Sequence, residues 1–232
     1  MKQFFAAFLV LVITAHLSYA QSNSAQITQT ADNTHSTVIQ TGDFNDAVVY
    51  IYRDWSASSI QQIGNDNTAT QYLTGDGPLL YEIEQNGEGN TAVQDDSASI
   101  PDYNKDWKDP EYLGDYDWTN ISASVLITQD GDYNEAYQYG TKFYAEIYQG
   151  GSFNEAIQNQ TDINNKAAVN QLGYSNYVNQ LQEGTGNSAL SFQEGYNLTH
   201  NLWQQGNDLY ISVSQTNLNP AYTPGPINIK QY

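Results

Sequence analysis

The chain has 232 residues, with 7 Lys plus Arg against 26 Asp plus Glu, a formal charge of -19 and no cysteine. Without cysteine there is no disulfide framework and no thiolate metal or redox site, and the acidic balance argues against nucleic-acid phosphate as a partner. The 23 Gln and 24 Asn make a fifth of the sequence carboxamide, a bias that calls for a search for repeats before anything else.

At the N-terminus Lys2 is followed by an apolar run from Phe4 to Ile13 and then by Ser18-Tyr19-Ala20. This pattern predicts an export leader over residues 1–20, cleaved after Ala20. The run is too short to span a bilayer, and no later segment resembles a membrane helix, so the mature chain is expected to be secreted without a transmembrane segment.

Beyond the leader, extended segments are expected at 23–29, 34–40, 45–51, 56–62, 67–73, 79–85 and 90–96. After an interruption they resume at 123–129, 134–140, 143–149, 154–160, 165–171, 176–182, 187–193, 198–204 and 209–215. Within them residues of one parity repeat in type: Ser36, Val38, Gln40, then Asn45, Ala47, Val49 and Ile51 after a turn. That parity reads as the inner face of an extended chain. The other carries Tyr50, Tyr52, Tyr72, Tyr137, Tyr139 and Tyr148 and reads as the exterior, with the tyrosines stacked as aromatic ladders. The interruption, 97–122, holds Pro101, Pro110 and a cluster of aspartates and aromatics, and is expected as an excursion from the surface. The tail, 216–232, contains Pro220, Pro224 and Pro226 and is expected not to continue the ladder.

The segments share one motif, Gln-x-Gly-x-x-Asn. It comprises Gln40/Gly42/Asn45, Gln62/Gly64/Asn67, Gln85/Gly87/Asn90, Gln129/Gly131/Asn134, Gln149/Gly151/Asn154, Gln171/Gly173/Asn176 and Gln182/Gly184/Asn187. Alanine stands two residues after Asn in every copy but one, where Val178 replaces it. From 40 to 171 the glutamines are separated by 22, 23, 44, 20 and 22 residues, a period of 22 with one coil interrupted. Glutamines at 171, 182, 193, 204 and 215 are 11 apart, so each period consists of two strand-and-turn halves. Short strands that reverse this often can bury their amides only if like stacks on like from coil to coil. The expected fold is therefore all-β, a β-solenoid with two strands per coil, held by Gln and Asn ladders. Glycine in the turns supplies the φ > 0 that a tight reversal needs.

This motif, on this period and in this composition, resembles the curlin repeat of curli fibre subunits over most of residues 23–215. The resemblance implies a structural subunit that self-assembles head-to-tail into extracellular functional amyloid, serving biofilm matrix and cell adhesion as a cell-surface, pilus-like fibre. It also implies a nucleator subunit and an outer-membrane secretion pore as partners. The Gly-rich segment that addresses family members to that pore has no counterpart in Gln21 to Gln26. Two other readings remain: a monomeric solenoid adhesin that binds a surface or carbohydrate, and a nucleator of another subunit.

No catalytic chemistry is evident. There is no nucleophile elbow, P-loop, dinucleotide fingerprint or HExxH. His200 has inward parity and is expected as a packed residue. Asp102, Asn104 and Asp106 begin like a calcium loop, but Trp107 stands where that loop needs glycine. No catalytic, cofactor or metal residue is assigned. Turn carboxylates such as Asp43, Asp130 and Asp132 serve solubility, with gatekeeping against premature assembly as the sharper alternative.

Overall fold

A computed structural model describes residues 8–14, 22–54, 56–74, 80–96, 124–140, 144–162 and 164–232. Among these residues there are 18 strands and no helix. Strand propensity alone does not dictate this, because Asn, abundant here, is depleted in strands. The strands form because alternate residues along each can be buried in register against the next coil.

Two parallel nine-stranded sheets result, built from alternate strands. The first, sheet A, contains β1 (Phe8–Thr14), β3 (His35–Thr41), β5 (Ala57–Asn65), β7 (Leu80–Glu88) and β9 (Ser124–Asp130), then β11 (Tyr144–Ser152), β13 (Lys166–Tyr174), β15 (Ser188–Tyr196) and β17 (Tyr210–Asn217), in that spatial order. Sheet B contains β2 (Ser24–Gln29), β4 (Asp46–Ile51), β6 (Thr68–Leu73), β8 (Thr91–Asp95) and β10 (Glu135–Gly140), then β12 (Glu155–Gln160), β14 (Tyr177–Glu183), β16 (Thr199–Gln205) and β18 (Ile227–Gln231). The chain passes from one sheet to the other at every turn, which is a β-solenoid. Nine strands at the usual spacing make each sheet about 38 Å long.

The core lies between the sheets and alternates as the parity reading requires. In β3 Ser36, Val38 and Gln40 are buried while the residues between them are half-exposed. One aliphatic cluster runs from Val38 to Val178. A second, of Leu202, Ile211 and Val213 with Ile227 and Ile229 against it, closes the C-terminal end. Between them lies a polar layer: His200 is fully buried, and its Nδ1 is 2.6 Å from Ser191 Oγ across the core. Burial pushes the His200 imidazole down to about 4, against a smaller upward pull from Gln215.

Two features depart from expectation. The tail does continue the ladder: Ile227–Gln231 forms β18, parallel to β16, and Gln204 Nε2 donates to Gln231 Oε1 at 3.2 Å. The prolines do not prevent this, because Pro220, Pro224 and Pro226 all precede the strand and so remove no ladder donor from it. The apolar run read as the centre of the leader lies as β1 along the outer edge of β3, with Phe8 opposite His35 and Ile13 opposite Gln40. The interruption at 97–122, with its calcium-loop-like residues, lies outside the described residues.

Candidate assembly interface

The repeated glutamines form the ladders from which any assembly would extend. Gln40, Gln62, Gln85, Gln129, Gln149 and Gln171 stand in one column of sheet A, each at most 1% exposed. Each Nε2 donates to the Oε1 of the next coil at 2.9 Å, from Gln40 through to the bond from Gln149 to Gln171. The column runs on through Gln193, which accepts from Gln171 at 3.0 Å. The second amide hydrogen goes to backbone carbonyls of sheet B, for example from Gln149 to Glu135 O at 2.9 Å. From Gln40 to Gln171 each Nε2 thus has an acceptor along the axis and another across the core, so the ladder compensates the desolvation of these donors.

Gln182 belongs elsewhere. It lies in sheet B, in register with Gln160 and Gln204, and donates to Gln204 at 2.8 Å. The 11-residue spacing of the later glutamines is the alternation of the chain between two such columns. A third column, of Gln71, Gln94, Gln138, Gln158 and Gln180, occupies the middle of sheet B and is equally buried. Its amides donate onward and to sheet A carbonyls, as Gln138 does to Gln158 and to Leu126 O, both at 3.1 Å.

The turn residues explain why Gly and Asn recur together. Asn45, Asn67, Asn90, Asn134, Asn154 and Asn176 line the arc from sheet A to sheet B, all at most 1% exposed. Each reaches the neighbouring coils twice. Asn67 Nδ2 donates to Gly87 O at 2.9 Å, while Asn67 Oδ1 accepts from the backbone N–H of Asn90 at 3.0 Å. Asn187 performs the same task on the opposite arc, where it follows Asn165: its N–H donates to Asn165 Oδ1 at 2.9 Å and its Nδ2 to Gly206 O at 2.9 Å. The glycines that accept these bonds admit no side chain. Gly42, Gly64, Gly87, Gly131, Gly151 and Gly173 have φ between +98° and +133°, and a Cβ on any of them would lie about 2 Å from the carbonyl oxygen of the next coil's glycine. Gly184 meets Gly206 O in the same way on the opposite arc.

Outside the ladders the exterior carries paired aromatics and acids. Tyr50 and Tyr72 stack across strands with ring centres 5.0 Å apart. Glu135 and Glu155 are register neighbours on sheet B, and burial together with the Glu135 charge raises the Glu155 carboxyl above the ordinary carboxylate value. Asp132 has a structural task as well as a charge, since its Oδ1 accepts from the N–H of Glu88 at 3.0 Å. One buried polar network has no counterpart in the repeat. Arg53 Nη1 lies 2.6 Å from Asp96 Oδ2, which also accepts from Tyr81 OH at 2.8 Å, and Arg53 Nε donates to Ser56 Oγ. It ties three coils together where the chain leaves for the interruption. Inward parity, counted from Ile83 to Tyr81 and from Gln94 to Asp96, is the signal that marks these residues.

No group of three His, Asp or Glu side chains able to hold a metal ion occurs among the described residues, and no helix among them is long and apolar enough to cross a membrane. Comparison with protein-family models, curated proteins and solved structures yields no match.

Proposed function

We propose that this chain is a structural subunit that polymerises head-to-tail into an extracellular, curli-like amyloid fibre, acting through its stacked strands and not through catalysis. The observation that carries this reading is the like-on-like amide ladder from Gln40 to Gln193, within a stack of parallel strands that ends in a strand edge at both ends of each sheet. A parallel sheet edge presents unpaired backbone donors and acceptors and is a template for another strand. The two ends of a solenoid are different surfaces, so their contact does not close on itself and a filament follows instead of a dimer. Export would place the fibre on the cell surface, with a nucleator and a secretion pore as the partners such a subunit needs.

The test is to hold the purified chain lacking residues 1–20 at micromolar concentration and follow thioflavin fluorescence. Fibre diffraction is then taken from the product. Growth seeded by its own fragments, with reflections at about 4.7–4.8 Å and about 10 Å, supports the reading. A persistent β-rich monomer that neither grows nor responds to seeds rejects it.

A further inference from the structure

The two ends of the solenoid carry like residues at four of their six inward positions. At the C-terminal end the inward positions are Ile211, Val213 and Gln215 on β17, and Ile227, Ile229 and Gln231 on β18. At the N-terminal end they are Ser36, Val38 and Gln40 on β3, and Ala25, Ile27 and Gln29 on β2. Following each column through the register pairs places Gln215 in the column of Gln40 and Gln231 in the column of Gln29. We propose that a second copy of the chain docks in this continuing register, with β17 of one copy against β3 of the next and β18 against β2.

The complementarity is specific to that register. It sets Val213 on Val38, Ile229 on Ile27, Gln215 on Gln40 and Gln231 on Gln29, so aliphatic meets aliphatic and amide meets amide. The two remaining pairs set a large residue on a small one, Ile211 on Ser36 and Ile227 on Ala25. A shift by one residue faces every inward side chain outward, and a shift by two sets Gln on an aliphatic residue. The end strands also carry what such a docking would cover. Ala25, Ile27, Ile227 and Ile229 pack on the core yet stay only partly buried, whereas the equivalent Ala47, Val49 and Leu202 of the flanking coils are at most 2% exposed. Gln29 Nε2 is a buried amide nitrogen with no partner, beside Ile51 in the ladder position of the next coil.

The docking surface is occupied in the full-length chain. β1 pairs with the edge of β3 that the junction needs, with Ile13 opposite Gln40 in register. Loss of residues 1–20 removes a strand whose only ladder among the described residues is with β3, leaving every other described pairing intact. The leader therefore blocks elongation at this end until it is cut away.

This inference rests on the fibre-subunit reading, and the experiment separates the two. The chain has no cysteine, so single thiols report the junction cleanly. Chains lacking residues 1–20 and carrying either Ser214→Cys or Ile39→Cys are mixed, assembled and oxidised. In the proposed register these positions face each other at a strand spacing of about 4.8 Å, within disulfide reach. Ser212→Cys with Ile39→Cys is displaced by two residues, to about 8 Å, and lies beyond it. Asn228→Cys with Gln26→Cys tests sheet B independently. The expected result is cross-linked dimer from the two in-register pairs, little from the displaced pair, and no seeded growth at the N-terminal end of chain that retains residues 1–20. Fibres that cross-link through the displaced pair, or equally through all pairs, overturn the register while the fibre reading stands. Growth undiminished by residues 1–20 overturns the block, and absence of any assembly overturns the subunit reading itself.

Discussion

Cutting one rung of the sheet A ladder should cost the same however many adjacent rungs are removed with it. In Gln149→Leu the side chain keeps nearly its volume, so no large void opens. Gln129 Nε2 loses Gln149 Oε1 but keeps Thr91 O and Asn134 O at 3.0 and 2.9 Å, so that donor remains satisfied. Gln171 Oε1, fully buried, loses the donor that lay 2.9 Å away. One orphaned buried acceptor costs about 1–3 kcal/mol, so the single variant should lose about 2 kcal/mol. In the double variant Gln149→Leu/Gln171→Leu that acceptor is gone, and the orphan moves to Gln193 Oε1, which had accepted from Gln171 at 3.0 Å. The double variant should therefore also lose about 2 kcal/mol in place of about 4, a coupling of about 2 kcal/mol between the sites. Urea unfolding of the unassembled chain, followed by far-ultraviolet circular dichroism, measures all three. Half-exposed Gln61→Leu is the control, within about 0.5 kcal/mol of the parent. Additive losses, or a Gln149→Leu indistinguishable from Gln61→Leu, would refute the account of the ladder as a chain of mutually dependent bonds.

Gly131→Ala should destabilise the same chain by more than about 3 kcal/mol, because its Cβ would lie 2.0 Å from Gly151 O at φ +133°, whereas Gly225→Ala, with nothing within 4 Å, should be silent in the same titration. Tyr81→Phe removes a donor to Asp96 but leaves Arg53 in place, and should cost about 1–3 kcal/mol; Asp96→Leu removes the acceptor of both Arg53 and Tyr81 and should cost more than Tyr81→Phe. For His200 the folded imidazole sits at about 4 against an ordinary value of 6.5. The unfolded chain therefore takes up the proton first as pH falls. Its contribution should be intact above pH 6.5, decline by about 3 kcal/mol down to pH 4 and then level off. His200→Gln should flatten that part of the stability profile, and an unchanged slope would mean that carboxylates set it.

How much of this is legible in the sequence follows from which signals agree. Where residue type and parity coincide, as in Val38 and Gln40, the inward face, the period and the ladders can be read directly. Where they conflict, parity prevails. Tyr81 resembles the exterior tyrosines by type, yet it is buried, because the strand register that seats Ile83 and Gln85 leaves it no other side. Its hydroxyl can be accommodated only because Asp96 and Arg53 are buried with it. β18 escapes a reading in which proline ends the ladder, because a strand excludes proline from its interior and not from its approach. The two-column arrangement is present in the 11-residue spacing, but spacing alone does not say which arc Gln182 precedes.

The turns hold the clearest lesson in what composition conceals. Glycine and Asn or Asp are expected wherever φ is positive, yet Phe44, Tyr133 and Phe153 adopt φ of +57°, +54° and +58°. For a bulky residue that conformation costs about 1–2 kcal/mol. Each occupies the position just before the arc asparagine, whose bonds to the neighbouring coils are the same throughout the stack. An arc that turned differently in one coil would break two such bonds, at about 1 kcal/mol each, so the stack imposes the dihedral whatever the residue. The aromatics then recover part of the cost from one another: Tyr133 and Phe153 stack at 5.2 Å, and Phe153 meets Tyr174 at the same separation. Such a pair contributes about 0.5–1.5 kcal/mol, comparable to the strain of one residue. Phe44 forms no such stack with the neighbouring Asp66 position and is half-exposed. Phe44→Asn should therefore stabilise the chain while Phe153→Asn should not, and thermal unfolding of the two variants decides whether coil register or ring stacking holds these turns.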